Sequence, residues 1–354
     1  MSSSHPPPPR HWTHPETIRI AANTVLLVAG SWFLLGELKA VLRPLLLAVF
    51  LGYVLMPYYG RLRKKMPAML ALGFVAIGVI LVFLLLASTV TGNLIDITAE
   101  GPALKQKAVN LIRGLSTWVQ SLPMVPPRPE GGKPPEEVLT DRLADEALSL
   151  LNLVAVSIPE AVATGLYLMF LLLESARFPA KVRKAYPSER AEHILNVFGR
   201  INAAIISYLK AKFLSSLLIG VLVGVLLGVA GVRFAVLWAV LTFVCNFIPY
   251  VGSVVAYALP TGFAVVQWGP SVGAFVVAAL MAAVHLLSAS VFEPMLLGRA
   301  VGLSPLVILA ALTVWGVLWG LPGMFLAVPL TVVVKIVFEN IEVTKPLANL
   351  LSEE

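Results

Sequence analysis

FAVLWAVLTFVCNFIPYVGSVVAYALPTGFAVVQW, Phe234 to Trp268, is a hydrophobic stretch of 35 residues. About 20 apolar residues suffice to cross a hydrocarbon core of roughly 30 Å, so this stretch is too long for one helix. It is interrupted by NFIPYVG, Asn246 to Gly252. Proline lacks an amide proton and clashes with the preceding turn, which breaks or kinks a helix. At bilayer depth such a break survives only where protein or a cavity satisfies the freed backbone groups. A second long stretch, residues 305 to 338, carries GLPGMFLAVPL, Gly320 to Leu330. One such segment reads equally well as a kinked structural helix. Two in matching positions point to a transport site built from helix ends.

The rest of the chain supports a membrane setting. Of its 354 residues, 58% are hydrophobic and 13% charged, with a mean hydropathy of +0.88, outside the range of soluble globular domains. Six full spans are expected at 18–36, 41–59, 68–94, 149–174, 205–231 and 271–292. The net charge of +7 sits in short loops, so it reads as membrane topology and no nucleic-acid partner is expected. Arg61 to Lys65 (RLRKK) holds four basic residues and no acid, and residues 177 to 212 hold eight Lys or Arg against Glu189 and Glu192. Both should be cytoplasmic. The single cysteine, Cys245, excludes an intramolecular disulfide and a multi-cysteine metal site; it is read as a small apolar residue.

Counting crossings gives cytoplasmic termini and the following organisation. Residues 1–17 form a disordered proline-rich tail, in which His5, His11 and His14 are too loosely spaced for a metal site. Residues 18–95 hold the first three spans. Residues 96–147 lie outside, where Leu104, Ala108, Leu111, Leu115 and Trp118 recur at helical spacing and predict a surface helix or a subunit contact. Residues 148–204 hold the fourth span and a basic cytoplasmic linker, 205–342 the transport core, and 343–354 a cytoplasmic tail. Within the core each broken segment is expected to enter and return on one side. Span five with its hairpin and span six with its hairpin then run in opposite senses, an all-α inverted repeat.

Several sequences from Arg200 onward resemble the AI-2E family of transporters: RINAAIISYL (Arg200 to Leu209), NFIPYVG, PMLLGRAVGLSPLVILAAL (Pro294 to Leu312) and GLPGMFLAVPL. LLLAVFLGYVLMPYYGRL (Leu45 to Leu62) and LLLESARFPAKVRKAYP (Leu171 to Pro187) are similar to the family's second span and fourth-span exit. The resemblance covers nearly the whole chain past the tail and implies export of small polar molecules or, for some members, sodium or proton antiport. One departure lies before Pro294, where the family places a polar or acidic group several residues upstream. This chain has Ser288 and Ser290 there, and sets Glu293 beside the proline.

The candidate pathway residues are Asn246, Pro249, Tyr250, Gly252 and Ser253 in the first break, and Pro322, Gly323 and Pro329 in the second. Glu293, Pro294, Gly298 and Arg299 join them: the glutamate and arginine form either an ion pair across the Pro294 break or ordinary interface charges. Thr261 adds a hydroxyl. Ionisable groups inside spans are costly and face a cavity or a partner. Glu160 either lines a pathway or sits at the outer interface, Glu174 is interfacial, and Lys335 should snorkel to the headgroups. His285 is a titratable group or a hydrogen-bonded structural histidine. Gly220, Gly224 and Gly228, four apart, mark close helix packing.

The scarcity of buried charge fits a neutral, polyhydroxylated solute better than tight ion coupling. The reading is a polytopic transporter in a bacterial inner membrane, moving a small hydrophilic solute by alternating access, without cofactor or metal. An ion antiporter is the near alternative and a structural scaffold the distant one. No HExxH, nucleophile elbow or paired intramembrane aspartates support an enzyme. The amphipathic outer helix and glycine-lined spans suggest a homo-oligomer.

Overall fold

The computed structural model describes residues 14–122, 159–175, 177–292, 295 and 302–352. Among these the chain is helical, with one bridge pairing Leu303 and Ser352. The helices are α1 (His14–Glu37), α2 (Lys39–Arg63), α3 (Ala68–Gln120), α4 (Pro159–Ser175), α5 (Phe178–Ala185) and α6 (Ser188–Val229). After them come α7 (Ala235–Cys245), α8 (Val251–Trp268), α9 (Val272–Leu287), α10 (Pro305–Trp319), α11 (Leu321–Glu339) and α12 (Lys345–Leu351). A π-helical turn, Ser288–Phe292, continues α9. Local chemistry sets several boundaries. Ser271 and Ser304 accept the Ala274 and Val307 amides at the starts of α9 and α10, each satisfying a donor that the first turn leaves orphaned.

Five helices are long and apolar enough to cross a membrane: α2, α6, α8, α9 with its π turn, and α11. The second, fifth and sixth expected spans are among them. The fourth appears as α4, bent by 65° into α5; its first residues, 149–158, lie outside the described set. The first and third contribute shorter apolar stretches, Val25–Glu37 and Ala68–Val82, inside longer helices. Large apolar side chains such as Val25, Leu27, Leu81 and Phe170 point outward, as a lipid-facing surface requires.

Three boundaries differ from those read in the sequence. α1 begins at His14, inside the expected tail. α6 begins at Ser188, so the second half of the basic linker is the start of the fifth span's own helix. α3 runs on through 53 residues, about 80 Å at 1.5 Å per residue, so the amphipathic stretch expected after the third span continues it without a break. Its Leu104, Ala108 and Leu111 are half-buried, while Leu115 and Trp118 are exposed. Lys107 Nζ ties it to the Gln267 carbonyl at 3.0 Å. Gln267 in turn accepts the Arg233 amide and donates to the Gly231 carbonyl, which fixes the α6–α7 turn.

α6 is the spine of the core. Ile205, Tyr208 and Leu209 on its first half pack with Phe50 of α2 and with Leu326, Val328 and Val332 of α11. Ile219, Val223 and Leu227 on its second half pack with Tyr257 of α8 and with Val277, Met281 and Val284 of α9. One apolar face of one helix therefore serves both broken segments in turn. The packing reading of the glycines holds: a Cβ at Gly224 would lie 2.7 Å from the Ala239 Cβ, and one at Gly220 3.0 Å from the Ala239 carbonyl oxygen. α7 can approach α6 only because those side chains are missing.

Candidate functional site

Each broken segment pairs a short helix with one of membrane length. α7 has 11 residues and α8 has 18; α10 has 15 and α11 has 19. The first break spans Asn246 to Tyr250. Tyr250 sits at φ 60°, ψ −61°, and the Val251 amide donates across it to the Pro249 carbonyl at 2.7 Å. This is a γ-turn of the rare, strained kind. Ser253 spends its hydroxyl on the Tyr250 carbonyl, 2.8 Å away. In the second segment the break is Gly320, at φ 68°, ψ −145°, a region essentially open to glycine alone. Pro322 then occupies the first turn of α11, where a missing N–H costs nothing.

A shared device holds both breaks shut. A Cβ on Gly252 would fall 1.6 Å from the Cys245 carbonyl oxygen, and one on Gly323 would fall 2.0 Å from that of Trp315. In each case the bare α-carbon at the start of the second helix rests on a carbonyl near the end of the first. Interior prolines behave differently from the breaks. Pro260 and Pro329 lie inside continuous helices and are buried. Pro260 denies the Ala256 carbonyl its helical donor, and the Thr242 hydroxyl of α7 reaches that oxygen at 3.4 Å. Thr261, by contrast, bonds back to its own helix at the Tyr257 carbonyl.

The first break packs on the α10–α11 pair. Phe247 stacks on Phe325 of α11 with ring centroids 5.0 Å apart, and Phe325 packs edge-on against Phe50 at 4.9 Å. Ile248 joins Ala311, Leu312, Ala327 and Met324 from the α10–α11 pair. Beside this apolar plug lies a buried polar cluster. Asn246 Nδ2 donates to Ser216 Oγ at 3.0 Å, with the two residues 2% and 0% exposed. Ser215 and Thr242 are fully buried and Lys212 is 2% exposed. Lys212 is one helical turn before Ser216 and one turn after Tyr208. It therefore marks the level at which α6 passes from packing against α11 to packing against the first segment. An intramembrane charge costs about 2.5–3.5 kcal/mol on insertion scales, so this position is under a demand that packing alone does not make. The cluster is closed to water. Two open clefts, of about 350 and 340 Å³, lie elsewhere, one beside Lys107 and Gln267 and the other beside Lys39, Arg43 and the Gly320 turn.

The expected site residues thus divide. Asn246, Pro249, Tyr250, Gly252 and Ser253 form the first break, and Gly323 and Pro322 open α11 beside the second. Pro329 lies within α11, two turns past Pro322. Glu293, Pro294, Gly298 and Arg299 lie outside the described residues. Glu160 is bound: its Oε2 accepts from Arg43 Nη2 at 2.9 Å across α4 and α2, with both side chains about a quarter exposed. Glu174 is exposed and pairs with Lys181, as an interfacial residue would. Nearby, Glu192 at 2.8 Å holds the Arg183 guanidinium still more firmly protonated. Lys335 does not snorkel. Its side chain is 13% exposed and donates to the Gly302 carbonyl at 2.6 Å; Gly302, at φ 54°, turns that carbonyl inward. The His285 ring packs edge-on against Tyr257 at 4.9 Å, while its Nδ1 is buried without a hydrogen-bond partner among the described residues.

Lys212, Ser216, Thr242 and Arg43 escaped the sequence reading. Lys212 was grouped with the basic linker, although it lies one turn from Ser216 on the apolar face of a span. Arg43 sits inside an apolar run that begins at Val41, which is itself the signal of a partnered charge.

With this geometry in hand, the comparisons with known proteins give a consistent answer. The AI-2E family transporter family matches residues 22–342. The AI-2 transport protein TqsA of Escherichia coli (strain K12) is 28% identical over 325 residues, covering 88% of this chain and 90% of that protein. The provisionally named transport protein YhhT of the same organism is 28% identical, covering 95% and 96%. A provisionally named transport protein of Haemophilus influenzae is 29% identical, covering 93% and 96%.

Proposed function

The chain belongs to the AI-2E transporter family, and from that premise we propose that it exports a small hydrophilic solute by alternating access, with the place where the first break packs on the second broken segment as the transport site. The observation that carries this reading is the buried polar cluster of Asn246 and Ser216 set against the Phe247–Phe325 plug. Buried polar groups are costly unless hydrogen-bonded. Helix ends and unwound backbone hold polar ligands at the midplane of many transporters. In this reading the broken segments are re-entrant hairpins of an inverted repeat. The closed cluster is an occluded state, and the aromatic plug must part for the solute to pass. Loops 61–65 and 177–187 face the cytoplasm of a bacterial inner-membrane protein, as do both termini, and the chain assembles as a homo-oligomer.

The test is transport by full-length protein in reconstituted vesicles, using a labelled panel of small polar solutes that includes AI-2, the cargo in the name of the E. coli relative. Flux of at least one solute should depend on the protein and fall on Asn246→Leu substitution, which keeps the branched shape and removes the amide. Absence of protein-dependent flux across the panel refutes the reading.

Ion antiport is a second reading, favoured by one feature: Glu293 is the only carboxylate between residues 193 and 338. It directly follows a π-helical turn, a feature frequent at functional sites. Glu293→Gln should then abolish proton-driven flux while preserving solute exchange down its own gradient. Unaltered proton-driven flux removes this reading.

A further inference from the structure

The open cleft of about 340 Å³ beside the Gly320 turn lies where α2 begins, at the opposite end of that helix from Arg61. α2 is long and apolar enough to cross a membrane, so its first residue, Lys39, lies at a membrane face. Lys39 and Arg43 both line the cleft. Four apart, they share one face of the helix, where like charges repel. Arg43 spends one hydrogen bond, from Nη2 to Glu160 Oε2 at 2.9 Å, and that carboxylate balances its charge. Lys39 is exposed and makes no hydrogen bond or ion pair among the described residues. The net charge of the cleft is therefore the lysine's.

The second break supplies the facing wall. α11 starts there at Gly320 without a capping side chain, so the orphan amides of its first turn add to the positive field. Trp319 is buried and its Nε1 donates to the Leu35 carbonyl at 3.0 Å, which ties α1 to the same corner. Val317 and Leu321 also line the cleft and are exposed, so its rim continues into the apolar lateral surface. No carboxylate lines it.

We propose that this cleft binds an anionic phospholipid such as phosphatidylglycerol, its phosphodiester received by the Lys39 ammonium and the remaining Arg43 N–H groups, and its acyl chains lying along Val317 and Leu321. Charge and shape select this occupant together. A positive cleft attracts an anion, basic pockets between membrane helices take lipid headgroups, and an apolar rim accommodates chains that a soluble phosphate lacks. The lipid bridges α2 and the Gly320 turn. The inference does not depend on the breaks being the transport site.

The experiment titrates full-length protein in neutral detergent with phosphatidylglycerol or phosphatidylcholine and counts bound lipid by native mass spectrometry. Phosphatidylglycerol should fill one tight site per chain in preference to phosphatidylcholine. Lys39→Gln should weaken that site about fivefold, the weight of one basic side chain near an anionic lipid surface, and Lys39→Arg should keep it. Lys65→Gln, just past the other end of α2, should leave it unchanged; both lysines are exposed, so neither change disturbs packing. Equal binding of the two lipids overturns the inference, as does an unaltered site in Lys39→Gln or equal weakening by Lys65→Gln. Soluble glycerophosphoglycerol separates the sources of phosphate: at equal concentration it should not displace the lipid, and full displacement would assign the cleft to a soluble phosphodiester and overturn the lipid proposal.

Discussion

Gly252→Ala tests whether the first break is held by backbone contact between α7 and α8. The added Cβ would lie 1.6 Å from the Cys245 carbonyl oxygen and 2.6 Å from its carbon. Real Cβ contacts essentially never come below 3.0 Å, so the start of α8 must retreat by more than an ångström. A flexible neighbour would swing aside cheaply, but this one is backbone at the end of a helix. Overpacking typically costs about 1–3 kcal/mol, and an immovable neighbour places this case near about 3 kcal/mol. The restricted unfolded chain returns about 0.4–1 kcal/mol. The net loss is about 2 kcal/mol, a roughly thirtyfold shift away from the closed arrangement.

Two readouts follow from that number. The melting temperature in detergent should fall by several degrees for Gly252→Ala. It should stay level or rise for Gly262→Ala in the same helix, where an added Cβ meets nothing within 4 Å and the helix gains propensity. The retreat also moves Phe247 relative to Phe325. Cysteines at those two positions, in a Cys245→Ser background, should crosslink efficiently with a phenylene bismaleimide and lose that efficiency when Gly252→Ala is added. Gly323→Ala, with its Cβ 2.0 Å from the Trp315 carbonyl oxygen, should behave in the same way. Wild-type melting and crosslinking in Gly252→Ala would refute the argument that a carbonyl contact holds the break.

Gly320→Ala should cost about 1–3 kcal/mol, because only glycine readily adopts its backbone angles, whereas Pro322→Ala in the first turn of α11 should cost less than about 1 kcal/mol; thermal melts of the two variants check the order. Arg43→Gln and Glu160→Gln should each destabilise by about 1–3 kcal/mol, below the range for fully buried pairs because both groups keep some exposure. The double variant should recover part of that loss, and strict additivity in a double-mutant cycle would refute direct coupling. In a Cys245→Ser background, a cysteine at Gly131 should react with an impermeant thiol reagent in intact cells and one at Lys181 should not; reversed labelling overturns the proposed orientation.

What the sequence made legible follows from which physical demands leave a local trace. A break in a membrane helix requires proline or glycine at the break itself, so NFIPYVG and GLPG announced both segments, and the glycines of α6 announced their close packing by spacing alone. The division of labour within the breaks was not local. Pro322 looked like the breaker, but Gly320 is, and the difference lies in a backbone angle that one-letter code does not carry. Pro329 looked equivalent to Pro249, yet it lies inside a continuous helix; Pro260 likewise stays helical, and Thr242, fourteen residues before Ala256 in the chain, donates to the carbonyl that the proline leaves without its helical donor.

The charged residues show the same limit from another side. A window average treats Lys212 as the last residue of a basic loop, because loop and span are defined by composition while the helix runs unbroken from Ser188 to Val229. Only the periodicity of the buried face, Ile205, Leu209, Lys212, Ser216, Ile219 and Val223, shows that the lysine lies on the core stripe. Four of these six positions are aliphatic, and the remaining two are the lysine and the serine that meets Asn246. A helix that needed only to pack would carry aliphatic residues at all six, since each polar one must be partnered at a cost in water-free surroundings. The interruption falls at the level where α6 passes from packing against α11 to packing against the first broken segment, so the polar positions on the stripe mark the depth of the Asn246 break.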